Sequence, residues 1–160
     1  MGLDANFLNP FLEGTMLTLK VQCKIEVTPG KAFLKDNPLA MDIAGYMDIH
    51  CQKFNGTIAI CLPSAFYLSA MSNMIDEKYE TLTPDLYDGA GEMLNIIFGH
   101  AKRVLNDKGY DLPRAFPKIL TGSDLSKLQN KAIVGIVQPF KSSVGEFYVV
   151  ISPKSLEGAL

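Results

Sequence analysis

Histidine and cysteine are scarce in this chain: two and three among 160 residues. His50 and His100 have no metal-ligand spacing around them, and Cys23, Cys51 and Cys61 are odd in number and equally unsuited. A metal site is not expected, and the cysteines read as reduced, mostly buried small hydrophobes. Runs of Lys or Arg are missing too, and the net charge is −2, so nothing resembles a nucleic-acid-binding footprint. No apolar run approaches the ~18 residues of a membrane span. The opening MGLDANFLNP lacks a basic region followed by an apolar core, so no secretory signal is read and the cytoplasm is the expected location. Repeats strong enough to build on and low-complexity tracts are absent. So are a GxSxG elbow, a Walker loop and a dinucleotide fingerprint, which leaves hydrolase, NTPase and Rossmann readings without residues to carry them.

What is present is an ordinary globular composition, 48% apolar and 20% charged, enough for one domain over residues 1–160 with a real core. Its most informative stretch is 83–111, TPDLYDGAGEMLNIIFGHAKRVLNDKGYD. Thr83 is placed to cap a helix, Pro84 to occupy its first position, and Asp85 to sit where the helix dipole favours negative charge. Leu86, Ala90, Leu94, Ile97, Ala101 and Val104 recur at three- and four-residue steps, and Lys102, Arg103, Lys108 and Gly109 mark the end. Gly89-Ala90-Gly91 therefore lies inside a helix and cannot cradle a phosphate.

The polar face of that helix is unusual. At about 100° per residue, Asp88, Glu92, Asn95 and Gly99 fall together opposite the apolar stripe, with Lys102 below them. Asn and Gly both weaken a helix interior, Gly by roughly 1 kcal/mol relative to Ala, so this face gives up stability to carry them. Gly99, without a side chain, would let another molecule approach the Asn95 amide closely, which suits a docking surface better than a solvated one.

Elsewhere, residues 6–22 are expected to form a helix, with Asn9 as cap, Pro10 in first position and a stripe of Phe11, Leu12, Met16 and Leu19. Residues 32–35 suggest a short edge strand. Residues 40–62 read as a hairpin about an Asn55-Gly56 type I′ turn, which would set Cys51 opposite Ile60 and Ile49 opposite Leu62. Ile49, Cys51, Ile60 and Leu62 then share one face, and Tyr46, Asp48, His50, Ala59 and Cys61 the other. His50 and Cys51, adjacent on a strand, point to opposite faces and cannot form a thiol catalytic pair. A short helix follows Pro63, with Phe66, Ala70, Met71 and Met74 at helical spacing. Residues 123–130 read as a polar turn. Residues 131–140 and 144–153 are β-rich, with Ser142, Ser143 and Gly145 turning between them. Phe147 to Ile151 is apolar on both faces, which implies an inner strand or one covered by a partner subunit. The expected fold class is α+β: one mostly antiparallel sheet with two long helices packed on a face.

Asp88-x3-Glu92-x2-Asn95 in an amphipathic helix, followed by Pro117 after the next loop, resembles the signature of the CheC, CheX and FliY chemotaxis phosphatases, and a single copy in a chain of this length is most similar to CheX. Pro117 stands one residue earlier than the family pattern has it, which affects the register of the loop and not the catalytic pair. The resemblance implies a CheX-like homodimer acting on a phosphorylated CheY-like response regulator. The Mg²⁺ belongs to the regulator's own site, and no cofactor is the chain's own. Carried over from the motif, Asn95 would orient the attacking water and Glu92 would pair with the regulator's Lys; Asp88, Gly99 and Lys102, on the same helix face, are expected to contact the partner. Two-site members carry a second Glu-x2-Asn helix; here Glu13 is followed three positions later by Met16, so one site per chain is expected. The alternatives are a non-catalytic module of the same fold that docks a signalling partner, and a dimerisation domain whose polar helix face is merely solvated.

Overall fold

The computed structural model describes residues 5–35, 38–129 and 134–156. Helix α1, Ala5–Cys23, buries Phe7, Phe11 and Leu19. It includes Pro10 in its interior rather than starting there. The ring forfeits only a bond to the Asn6 carbonyl, which lies in the exposed first turn, and is itself buried, so the helix carries on. Thr15, a poor helix former, is buried with its hydroxyl donating to the Phe11 carbonyl at 2.7 Å.

Two short strands, β1 (Thr28–Pro29) and β2 (Phe33–Leu34), precede the hairpin of β3 (Ile43–His50) and β4 (Asn55–Leu62). The hairpin departs from expectation. His50 pairs with Asn55 and Gly45 with Ile60, so the connection is the loop 51–54, closed by a Cys51 N–H bond to the Phe54 carbonyl at 2.9 Å. Asn55-Gly56 opens β4 instead of turning the chain. Gly56 is needed for another reason: a Cβ there would stand 1.9 Å from the Ser152 carbonyl oxygen of the adjacent strand. Ile60 finds its partner six residues from the expected one, an even number, so the partition of side chains between the two faces survives the slip.

Helix α2 (Ser64–Ile75) follows Pro63 directly and buries Phe66, Tyr67, Ala70 and Met71. A 3-10 turn, Pro84–Leu86, leads into helix α3, Asp88–Asp107. Thr83 thus stands at the N-cap position of this tighter first turn rather than of the α-helix itself, and its hydroxyl donates to the Asp85 carboxylate instead of capping a backbone N–H. Strand β5 (Lys118–Thr121) comes next, then a second 3-10 turn (Gly122–Leu125) and the one-turn helix α4 (Ser126–Gln129). Leu125 and Leu128 are buried here, so the expected polar turn is a cover over the sheet. Strands β6 (Ile136–Ser142) and β7 (Gly145–Ser152) close the chain's order, joined as expected at 143–144. Residue 130 of the expected polar turn and residues 131–133 of the first β-rich run lie outside the described residues.

All pairings are antiparallel, in the order β1-β6-β7-β4-β3-β5, with β2 also on β6. Strand β7 is internal, which accounts for its two apolar faces. Phe147, Val149 and Ile151 meet the core beneath α1, α2 and α3, while Val150 lies on the opposite face with Ala44, Ala59, Cys61, Leu120, Leu125 and Leu156. The fold is the expected α+β class, with α2 joining the two long helices on their face of the sheet.

Burial pushes the Cys23 thiol from its ordinary 9.0 up to about 11 and that of Cys61 up to about 12. The folded state therefore holds these protons more tightly than the unfolded one. Their contribution to stability is complete below pH 9 and is lost as pH climbs through the folded values. The urea midpoint should fall between pH 9 and pH 11, and less steeply in Cys61→Ala.

Candidate functional site

Three small residues seat the start of α3. A Cβ on Gly45 of β3 would stand 3.0 Å from the Ala90 carbonyl oxygen, so the helix backbone rests almost directly on the strand. On one side Gly89 lies where a Cβ would meet the Met71 sulfur at 2.4 Å and the Tyr67 hydroxyl at 2.6 Å. On the other, Gly91 abuts Ile119 and Pro117, at 3.1 and 3.4 Å from such an atom. Gly89-Ala90-Gly91 thus fits into a slot formed by α2, β3 and the β5 approach. Tyr67 donates its hydroxyl to the Leu86 carbonyl and so ties α2 to the entry of α3. Burial raises its pKa, so it stays a donor.

That seating turns the opposite face outward. Asp88, Glu92, Asn95 and Gly99 are all exposed and Lys102 is half-buried, while Ala90, Met93, Leu94, Ile97, Phe98 and Ala101 are buried. The side chains of Glu92 and Asn95 make no hydrogen bond or ion pair with any described residue.

Beside this row the chain leaves α3 through Gly109, at φ +85°, where the Tyr110 N–H bonds the Leu105 carbonyl. Asn106 then clamps Leu112: its Oδ1 accepts the Leu112 N–H at 2.6 Å and its Nδ2 donates to the Leu112 carbonyl. Held in this way, 114–117 runs back along the helix. It forms one wall of a depression of about 230 Å³ whose other wall is Asn95, Phe98, Gly99 and Lys102. Phe116 is 70% exposed there, with the Arg114 guanidinium 5.6 Å from its ring centroid.

Of the residues singled out from sequence, the structure brings Asn95, Gly99 and Lys102 to one groove, and Asp88 and Glu92 precede them on the same exposed face. Arg114 and Phe116 are additions. A Phe between two prolines carries no periodicity that would distinguish an exposed ring from a core one. The exposed face is electrically graded, with Asp88 and Glu92 near the N-terminal end of α3 and, at the groove, Lys102 and Arg114 towards the other. Among the described residues no group of three or more His, Cys, Asp or Glu could hold a metal ion, and no helix is long and apolar enough to cross a membrane. The chemistry offered is a carboxamide able both to donate and to accept, one helical turn from a carboxylate.

The fold places the chain in the class of CheC- and CheX-like chemotaxis proteins. The family profile described as "Chemotaxis phosphatase CheX" matches residues 43–141. A CheC-like superfamily protein from Shewanella sp. PV-4 has a TM-score of 0.82 and 30% identity over 94% of this chain and 98% of its own. The chemotaxis protein CheX from Vibrio vulnificus has a TM-score of 0.81 and 29% identity over 91% and 97%. A CheX from Borrelia burgdorferi, solved as a complex with CheY, BeF3 and Mg²⁺, has a TM-score of 0.77 and 22% identity over 91% and 96%, and shares the fold. No curated protein matches the sequence. The chain belongs to the CheX family.

Two glycines of one helix should respond oppositely to the same change. A Cβ on Gly99 meets nothing within 4 Å, so Gly99→Ala should stabilise the isolated protein by about 0.5–1 kcal/mol. Gly89→Ala should destabilise it, because Met71 and the bonded Tyr67 must move. Urea unfolding of both variants against the parent measures the contrast.

Proposed function

We propose that this protein stimulates hydrolysis of the aspartyl phosphate of a CheY-like response regulator. The observation that carries the reading is the exposed Asn95 carboxamide, free of described intramolecular partners, one turn from an equally free Glu92. A buried or internally bonded amide could not serve. The Borrelia CheX–CheY complex, with BeF3 and Mg²⁺, supports the choice of partner.

An acyl phosphate is already labile, so a helper protein need only place a water in line. Asn95 Oδ1 accepts from that water and its Nδ2 donates, bringing no negative charge against the phosphoryl oxygens. As the water oxygen bonds to phosphorus, the bond to the aspartyl oxygen breaks. The regulator's carboxylate leaves with the electron pair, and the water's proton passes to the phosphate released. Glu92 pairs with the regulator's Lys and fixes the helix across the site. Mg²⁺ belongs to the regulator. Asp88, Gly99 and Lys102 contact the partner around this pair. We place the protein in the cytoplasm with its substrate, as a homodimer; light scattering should give about twice the 17.5 kDa chain mass.

Asn95→Ala should lower stimulated dephosphorylation by about 100-fold or more, the scale of losing one positioned group, and leave the regulator's Kd within about threefold. Glu92→Ala should weaken docking by roughly tenfold, ~1.4 kcal/mol. Phosphoryl lifetimes of the labelled regulator, with binding titrations, test both. Full activity in Asn95→Ala refutes the catalytic assignment, and tight docking without any acceleration by the parent protein would indicate a binding module instead.

A further inference from the structure

A second depression, of about 450 Å³, lies between α1 and α3, lined by Leu17, Val21, Ile96, His100 and Arg103 among others. Leu17 is 48% exposed and Val21 60%, large apolar side chains on the face of α1 turned away from the core. Gly99 belongs to the wall of both this depression and the Asn95 groove. Having no side chain, and with open space where one would stand, it leaves the two joined across the back of α3. The helix gives up propensity there for no contact within the chain.

We propose that the regulator's footprint spans both depressions, with Leu17 and Val21 as apolar anchors on one side of the catalytic row and Phe116 on the other. The inference rests on the function proposed above and extends its docking surface to α1. Continuity decides the occupant: Gly99 lines both depressions, so a body that seats on the Asn95 groove meets the Leu17 and Val21 depression across the same residue. Charge agrees, since Lys102, Arg103 and Arg114 collect at this end of the row, complementary to the acidic surroundings of a phosphorylated aspartate docked over Asn95. Phe116 and Arg114 are of the residue types enriched at specific protein interfaces, and Leu17 and Val21 add apolar area on the other side of the row.

The test is direct binding to CheY loaded with beryllofluoride and Mg²⁺, alongside dephosphorylation kinetics. Leu17→Glu and Val21→Glu, both at exposed positions, should keep the parent's melting temperature, each weaken binding by about tenfold, and leave the maximal dephosphorylation rate at saturation unchanged. Gly99→Leu should weaken binding similarly by filling the saddle. Unchanged affinity in the two glutamate variants overturns the inference, as does loss of self-association with affinity retained, which would assign the groove to a second copy. Failure of the parent to bind loaded CheY overturns it too. Should the parent bind but not accelerate hydrolysis, weakened binding in Leu17→Glu would uphold the footprint while the catalytic reading falls.

Discussion

The contact on which the site depends is backbone against backbone: the Ala90 carbonyl of α3 resting on Gly45 of β3, with room for almost nothing between them. A helix lying that close has little rotational freedom, since Gly89 and Gly91 are flanked by α2 and by the Pro117–Ile119 approach. Fixing its azimuth fixes which residues face outward. Glu92 and Asn95 are presented by this slot as much as by the helix that carries them.

Two kinds of glycine coexist on α3, and their difference separates structure from function. Gly89 and Gly91 exist because neighbours occupy the space a side chain would need; Gly99 has open space and no neighbour. A position that weakens a helix without relieving a clash calls for an explanation outside the chain. Here it sits between two depressions and next to the Asn95 carboxamide, in a protein whose family is one of chemotaxis phosphatases.

Interaction with water rather than with the rest of the chain also distinguishes the wall opposite the helix. Phe116 is exposed in a segment whose path is set by the Asn106 clamp on Leu112 and by Gly109 at positive φ. The loop carries no regular secondary structure, yet it is held at both ends. A groove between a rigid helix and a pinned loop keeps its shape without a bound partner and so costs little to preorganise.

Period and punctuation alone determined the two long helices, the β-rich runs, the α+β class and the exposed row from Asp88 to Gly99, because helical and strand periodicity decide which side chains share a face. Parity preserved the faces of the hairpin even where its register was misread: an Asn-Gly pair favours a turn locally, but Ser152 on the adjacent strand claims the space beside Gly56, and the turn moved to 51–54. Only the tertiary structure decided that Pro10 lies within α1, that 122–129 covers the far side of the sheet, and that Leu17, Val21, Arg114 and Phe116 flank the exposed row of α3. These are properties of what packs against what, set by contacts between residues far apart along the chain, and no local pattern encodes them.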